Sequence, residues 1–137
     1  MSSENSTSEI MRQRLREVRS VILKLHKALL NSERHAYEQF HGPIKTTGEY
    51  FQLVVGHEWF EWLRPMSQFI VQMDDVLQSK EPVADERVME LLAEAEQLLQ
   101  PAEYGTVLER GYYRAIQRDP DIAVMHADIS LLFKKHK

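Results

Sequence analysis

Two carboxylates fall on helical stripes that are otherwise apolar, and these are the first candidates for chemistry. Glu58 shares a three-to-four-residue spacing with Val55 and Trp62, and Glu33 follows Leu29 at the same spacing on an earlier segment. A buried carboxylate is costly to desolvate, so it requires a cationic or hydrogen-bonding partner or a raised pKa. We therefore predict that both carboxylates face the interior and have partners there.

Two histidines accompany these carboxylates. His26 lies one heptad before Glu33, and His57 adjoins Glu58 but points to another side of its helix. Inward carboxylates and imidazoles on two helices can bind a divalent metal ion in the core of a bundle. One hypothesis is therefore a metal site that draws its ligands from Glu58, Glu33, His26 and His57.

The simpler interpretation of the same residues is structural. Buried polar groups are usually paired with other protein groups, so Glu58, Glu33 and His26 can form a hydrogen-bonded cluster with Arg64, Arg34 or a tyrosine hydroxyl. They can also lie at the edge of the bundle. We favour these structural interpretations over the metal site, and we expect no cofactor.

Recognised metal and catalytic motifs are missing from the chain. A single Glu-x-x-His, Glu38 to His41, is present, whereas di-iron bundles use two such motifs and two further carboxylates. The sequence has no cysteine, no glycine-rich phosphate loop, no His-Glu-x-x-His and no Gly-x-Ser-x-Gly. We assign no catalytic residue and predict a protein that is not an enzyme.

The elements that must position these residues are helices. Apolar residues at three-to-four spacing predict a first helix from about Thr7 to the Gly42-Pro43 stop, and a second from Thr47 to Ser79 with a kink near Pro65. Three shorter segments follow, the last at the C-terminus. The pattern predicts an all-α, antiparallel four-helix-like bundle with a short additional C-terminal helix, in which the second helix is central.

Composition and length agree with this class. The chain has 137 residues, 43% hydrophobic and 28% charged, with a net charge of −4. These values predict residues 8–137 as one bundle domain after a disordered tail of residues 1–7. Neither a signal peptide nor an apolar run long enough to cross a bilayer is apparent, so we expect a cytoplasmic protein without a membrane partner.

The second helix carries more apolar residues than one stripe needs. Excess apolar surface on a helix indicates either a central position or an interface. We therefore predict a homodimer, or contact with another protein partner, through Trp59, Phe60, Leu63 and Ile70.

A basic first helix and an acidic later segment provide the third functional alternative. Six arginines and lysines lie between Ile10 and Leu30, and the segment from Glu81 to Glu103 is correspondingly acidic. Basic faces can bind phosphates of nucleic acid. We favour two complementary solvated faces, within one molecule or across a dimer, and regard nucleic-acid binding as unlikely.

Three short segments resemble a set of small, functionally uncharacterised bacterial helical proteins. They are His26-Lys27-Ala28-Leu29, Trp59-Phe60-x-Trp62-Leu63-Arg64-Pro65 and Arg118-Asp119-Pro120-Asp121. The resemblance implies a bacterial, cytoplasmic, all-helical protein and supplies no activity or ligand. The function that we predict is that of a non-catalytic bundle protein acting through self-association and a protein partner or small ligand.

Overall fold

The computed structural model describes residues 3–137, and side chains from Ser6 onward. Every regular element in residues 3–137 is a helix and none is a strand, which confirms the all-α bundle. The helices are α1 (Ser3–His41), α2 (Thr47–Gly56), a 3-10 segment (Glu58–Leu63), α3 (Arg64–Leu77), α4 (Asp85–Leu98), α5 (Val107–Arg118) and α6 (Pro120–Lys135).

The central element is α1, not the second helix. Its 39 residues correspond to a length of about 58 Å at 1.5 Å per residue. It contacts α3, α4, α5, α6 and the 3-10 segment. Its inward stripe is completely buried and follows the predicted spacing: Leu15, Val18, Ile22, Leu25 and Leu29.

Helix α3 returns along α1. The ring of Phe60, just before α3, lies 5.9 Å from that of Tyr37 on α1, and Asp74 of α3 pairs with Arg19 at 2.7 Å. Since the chain advances from 60 to 74 while its partners on α1 recede from 37 to 19, α3 runs antiparallel to α1.

The C-terminal helix α6 has the same direction as α3. Arg118, just before α6, contacts Glu33, and His136 at its other end lies 3.3 Å from Glu17. The antiparallel arrangement that the sequence predicts is thus present for both helices against α1.

The N-terminal end of α1 differs from the expectation. The helix begins at Ser3 instead of near Thr7, so residues 3–7 of the predicted tail are helical, while Met1 and Ser2 lie outside the described residues. Ser8 donates to Asp85 over 2.7 Å, and Arg12 pairs with the same carboxylate at 2.9 Å. These contacts with the start of α4 hold the early turns of α1 in place.

Two arginines of the basic face of α1 pair with aspartates on other helices. Hydrogen bonds from Arg12 and then from Ser8 lower the pKa of Asp85. Arg19 on α1 likewise pairs with Asp74 on α3. At these positions, therefore, basic side chains of α1 are paired within one molecule.

The predicted second helix is divided into three elements. The break occurs at His57, whose backbone is extended at φ −91° and ψ 136°, and not at Pro65. Pro65 lies in the first turn of α3, where the missing N–H has no helical partner to lose. The proline therefore begins a helix instead of kinking one.

Two predicted helix ends are confirmed, since α1 ends at His41 before Gly42-Pro43 and α2 begins at Thr47. Thr46 accepts a hydrogen bond from the amide of Glu49 over 3.0 Å and caps α2, and Asp119 caps α6 with Pro120 in its first turn. Within residues 3–137, no helix combines the length and apolar character needed to cross a membrane.

Candidate functional site

Glu33 is buried and paired. Its residue surface is 6% exposed, and Arg118 donates to its Oε1 over 3.2 Å and to Ser32 Oγ over 2.9 Å. The expected partner was Arg34, Arg64 or a tyrosine. The actual partner comes from the end of α5, 85 residues further along the chain.

Glu58 is exposed, which corrects the prediction that it faces inward. The α-helical count that aligned it with Val55 and Trp62 does not apply, because an extended residue and a 3-10 segment separate Glu58 from α2. His57 accepts a hydrogen bond from the amide of Trp59 through Nδ1 at 3.0 Å, and so caps the 3-10 segment.

His26 is partly buried on α1, and this burial lowers its pKa. The four predicted ligands Glu58, Glu33, His26 and His57 do not form one cluster. Across residues 3–137, no group of three or more histidine, aspartate and glutamate side chains has the proximity that a metal ion requires.

The predicted partner-binding residues lie mostly inside the molecule. Phe60, Leu63 and Ile70 are buried, so they have little surface left to offer a partner. Trp59 is half-buried, with ring centroids 5.7 Å from Tyr37 and 5.6 Å from His41. The 3-10 segment turns Trp59 and Phe60 toward Tyr37 of α1.

Exposed apolar residues occur on several helices, and two of them lie on α2. No residue of this ten-residue helix is buried, and Phe51 is 66% and Val55 54% exposed. Phe40 at the end of α1 is 78% exposed, with its ring 5.8 Å from that of Trp59, three residues beyond α2. We call Phe51 and Val55 the α2 surface.

A cleft of about 790 Å³ opens between the 3-10 segment and α5, and we call it the charged cleft. Glu58, Glu61 and Arg64 line one side at intervals of three, which places them on one face of a three-residue turn. Arg114 and Arg118 line the other side, four residues apart on one face of α5.

Most charges in the charged cleft are paired, but two are not. Arg118 contacts Glu33, and Arg64 lies 3.7 Å from Glu61. Within the described part of the chain, Arg114 and Glu58 form no ion pair and no side-chain hydrogen bond with each other or with another residue. The cleft therefore offers one unpaired cation and one unpaired anion.

Close packing joins the two sides of the charged cleft. Gly111 of α5 is buried against Trp62, and a Cβ atom at Gly111 would overlap the indole ring. The absence of a side chain therefore allows the 3-10 segment to approach α5. Trp59 and Trp62 both line the cleft.

The sequence did not identify Arg114, Arg118 or the α2 surface. Arg114 and Arg118 repeat the three-to-four spacing that begins at Gly111, a signal that could have suggested a shared face. Gly56 before His57 could have suggested an early end to α2. Neither signal shows which other helix the face meets.

Comparison with known proteins identifies no relative. No protein-family model, curated protein or solved structure matches the chain.

Proposed function

We propose that this protein is a non-catalytic bundle protein that acts as a homodimer, with α2 packed against α2 of a second copy. The observation that carries the proposal is the uncovered apolar surface of α2. Phe51 and Val55 lie on one side of the helix, four residues apart, and both are mostly exposed. Apolar patches of this kind mark association surfaces in water-soluble proteins.

A second copy is a suitable occupant because an antiparallel pair of α2 helices avoids charge conflict. Glu49 is the only charged residue from Thr47 to Gly56. In a two-fold arrangement the two Glu49 side chains lie at opposite ends of the helix pair. Each then approaches the C-terminal end of the facing helix, where Arg64 donates to the carbonyl of Val55 over 3.3 Å.

The proposed interface also includes Phe40 at the end of α1. Two ten-residue helices alone give a contact about 15 Å long, which is short for a stable interface. Phe40 adds an aromatic side chain that is 78% exposed, and aromatic residues contribute strongly to interface energies. The proposed interface therefore combines α2 with the end of α1.

Sedimentation velocity over a range of concentrations tests the proposal. We expect the wild-type chain to dimerise, and Phe51→Glu to weaken dimerisation at least about tenfold because a carboxylate would enter the apolar contact. The matched control is Leu131→Glu on α6, where the native side chain is similarly exposed at 62%. This control should leave the dimer unchanged.

Two outcomes would overturn the homodimer. A wild-type chain that remains monomeric at about 1 mM has no relevant self-association. Equal weakening by Phe51→Glu and Leu131→Glu would show that association does not use α2. Bacterial origin and a cytoplasmic location remain part of this proposal as predictions from the sequence.

A further inference from the structure

We propose that the charged cleft binds a small zwitterion with an aromatic body, of the class of a free aromatic α-amino acid. This site does not depend on the homodimer. Among the described residues, two charged side chains of the cleft are unpaired, Arg114 on α5 and Glu58 on the 3-10 segment. They lie on opposite sides of one opening and do not pair with each other.

The charge balance of the lining favours a zwitterion over a simple ion. Three arginines and three glutamates line the cleft, so its formal charge is zero. A simple anion at Arg114 would share the cleft with the carboxylates of Glu58 and Glu61, and a simple cation at Glu58 would share it with three arginines. A ligand with both charges can satisfy Arg114 and Glu58 together, without disrupting the Arg118–Glu33 pair.

The orientation of the ligand follows from the two residues. A guanidinium offers paired N–H donors that match a carboxylate, so the ligand carboxylate would bind Arg114. The ligand ammonium would bind Glu58, which has two carboxylate oxygens without a protein donor. Arg114 and Glu58 are therefore specificity-determining residues in this proposal.

The uncharged part of the lining suits an aromatic ligand body. Trp59, Pro65 and Val107 add aromatic and apolar surface to the lining, to which Trp62, only 5% exposed, adds little. Indole faces favour offset-stacked or edge contacts with another ring. The volume of about 790 Å³ lies within the range of small-molecule sites.

Tryptophan fluorescence provides a direct test, because the chain contains only two tryptophans and both line the charged cleft. The three probes share a phenyl ring and differ in charge. L-phenylalanine carries both charges, 2-phenylethylamine only the positive charge and 3-phenylpropanoate only the negative charge. We expect saturable binding of L-phenylalanine and at least about tenfold weaker binding of the other two probes.

Matched variants locate the binding. Arg114→Gln and Glu58→Gln should each weaken L-phenylalanine binding about tenfold or more, since each removes one charge-assisted contact. Both native side chains are exposed and unpaired, so thermal unfolding should be unchanged. Arg110→Gln on α5 and Glu86→Gln on α4 change the same residue types at exposed positions outside the cleft, and should bind as the wild type does.

Three results would overturn the proposal. The first is the absence of saturable binding of L-phenylalanine up to about 10 mM, measured by fluorescence and by calorimetry. The second is equal affinity for 3-phenylpropanoate or 2-phenylethylamine, which would make the cleft a simple ion site. The third is binding that survives both Arg114→Gln and Glu58→Gln.

Discussion

Phe51 and Val55 on α2 are mostly exposed, whereas Trp62 and Met66, which continue the same apolar spacing, are buried in the core. The two pairs are close in sequence and similar in composition. They differ because α2 ends at Gly56, and the chain re-enters the bundle through an extended residue and the 3-10 segment. Apolar spacing therefore predicts a shared face only while one helix continues unbroken.

The backbone geometry at the His57 break explains why Trp62 is buried whereas Phe51 and Val55 are exposed. An α-helix turns by about 100° per residue and a 3-10 helix by about 120°, so six residues of the latter shift the phase by about 120°. The extended backbone of His57 adds a change of direction. Trp62 thereby reaches Gly111 on α5, and Glu58 turns into the charged cleft.

Truncating one aromatic residue in each region gives the largest expected contrast. Trp62→Ala should lower the free energy of unfolding by about 3–5 kcal/mol, because it leaves a cavity in the core. Phe51→Ala should change it by less than about 0.5 kcal/mol in dilute monomer, because the native ring is exposed. Urea denaturation followed by circular dichroism measures both values, and similar losses would contradict the assigned difference in burial.

Two glycines provide the next contrast. Gly111→Ala should lower the free energy of unfolding by about 1–3 kcal/mol, because the added Cβ would overlap the Trp62 ring. Gly48→Ala in the first turn of α2 meets no atom within 4 Å, and should raise stability by about 0.5 kcal/mol. Thermal unfolding distinguishes the two signs. A stabilising Gly111→Ala would mean that Trp62 does not pack against α5 in this way.

The smallest expected difference between two paired variants concerns the junction between the two regions. His57→Ala should cost about 1 kcal/mol, because the amide of Trp59 loses its side-chain acceptor. His57→Asn keeps an acceptor at this position and should recover most of that loss. Denaturation midpoints measure both variants. Equal losses would indicate that the imidazole acts through its ring contacts with Tyr37 and His41 instead.

Predictions from local sequence were successful where the cause is local. The end of α1 before Gly42-Pro43, the start of α2 at Thr47 and the α1 stripe depend on residues within a few positions of each other. The proline prediction failed although it was also local, because Pro65 is compatible with a helix interior break and with a helix start. The position at which the preceding helix ends decides whether Pro65 breaks a helix or begins one.

The candidate sites depended on contacts that are distant in sequence. The sequence indicated that Glu33 needed a partner, since a buried carboxylate is costly, but Arg118 comes from another helix 85 residues away. Glu58 was a candidate from the sequence, but Arg114 is a candidate only because α5 and the 3-10 segment line one cleft.

The sequence by itself determined an all-helical bundle, the buried stripe of α1 and several helix ends, because helix period and capping act between near neighbours. Only the tertiary structure decided that α1 is central, that α2 remains uncovered and that Glu58 faces outward. These outcomes depend on how separate helices pack, and the break at His57 changes the direction of the side chains in the 3-10 segment that follows it.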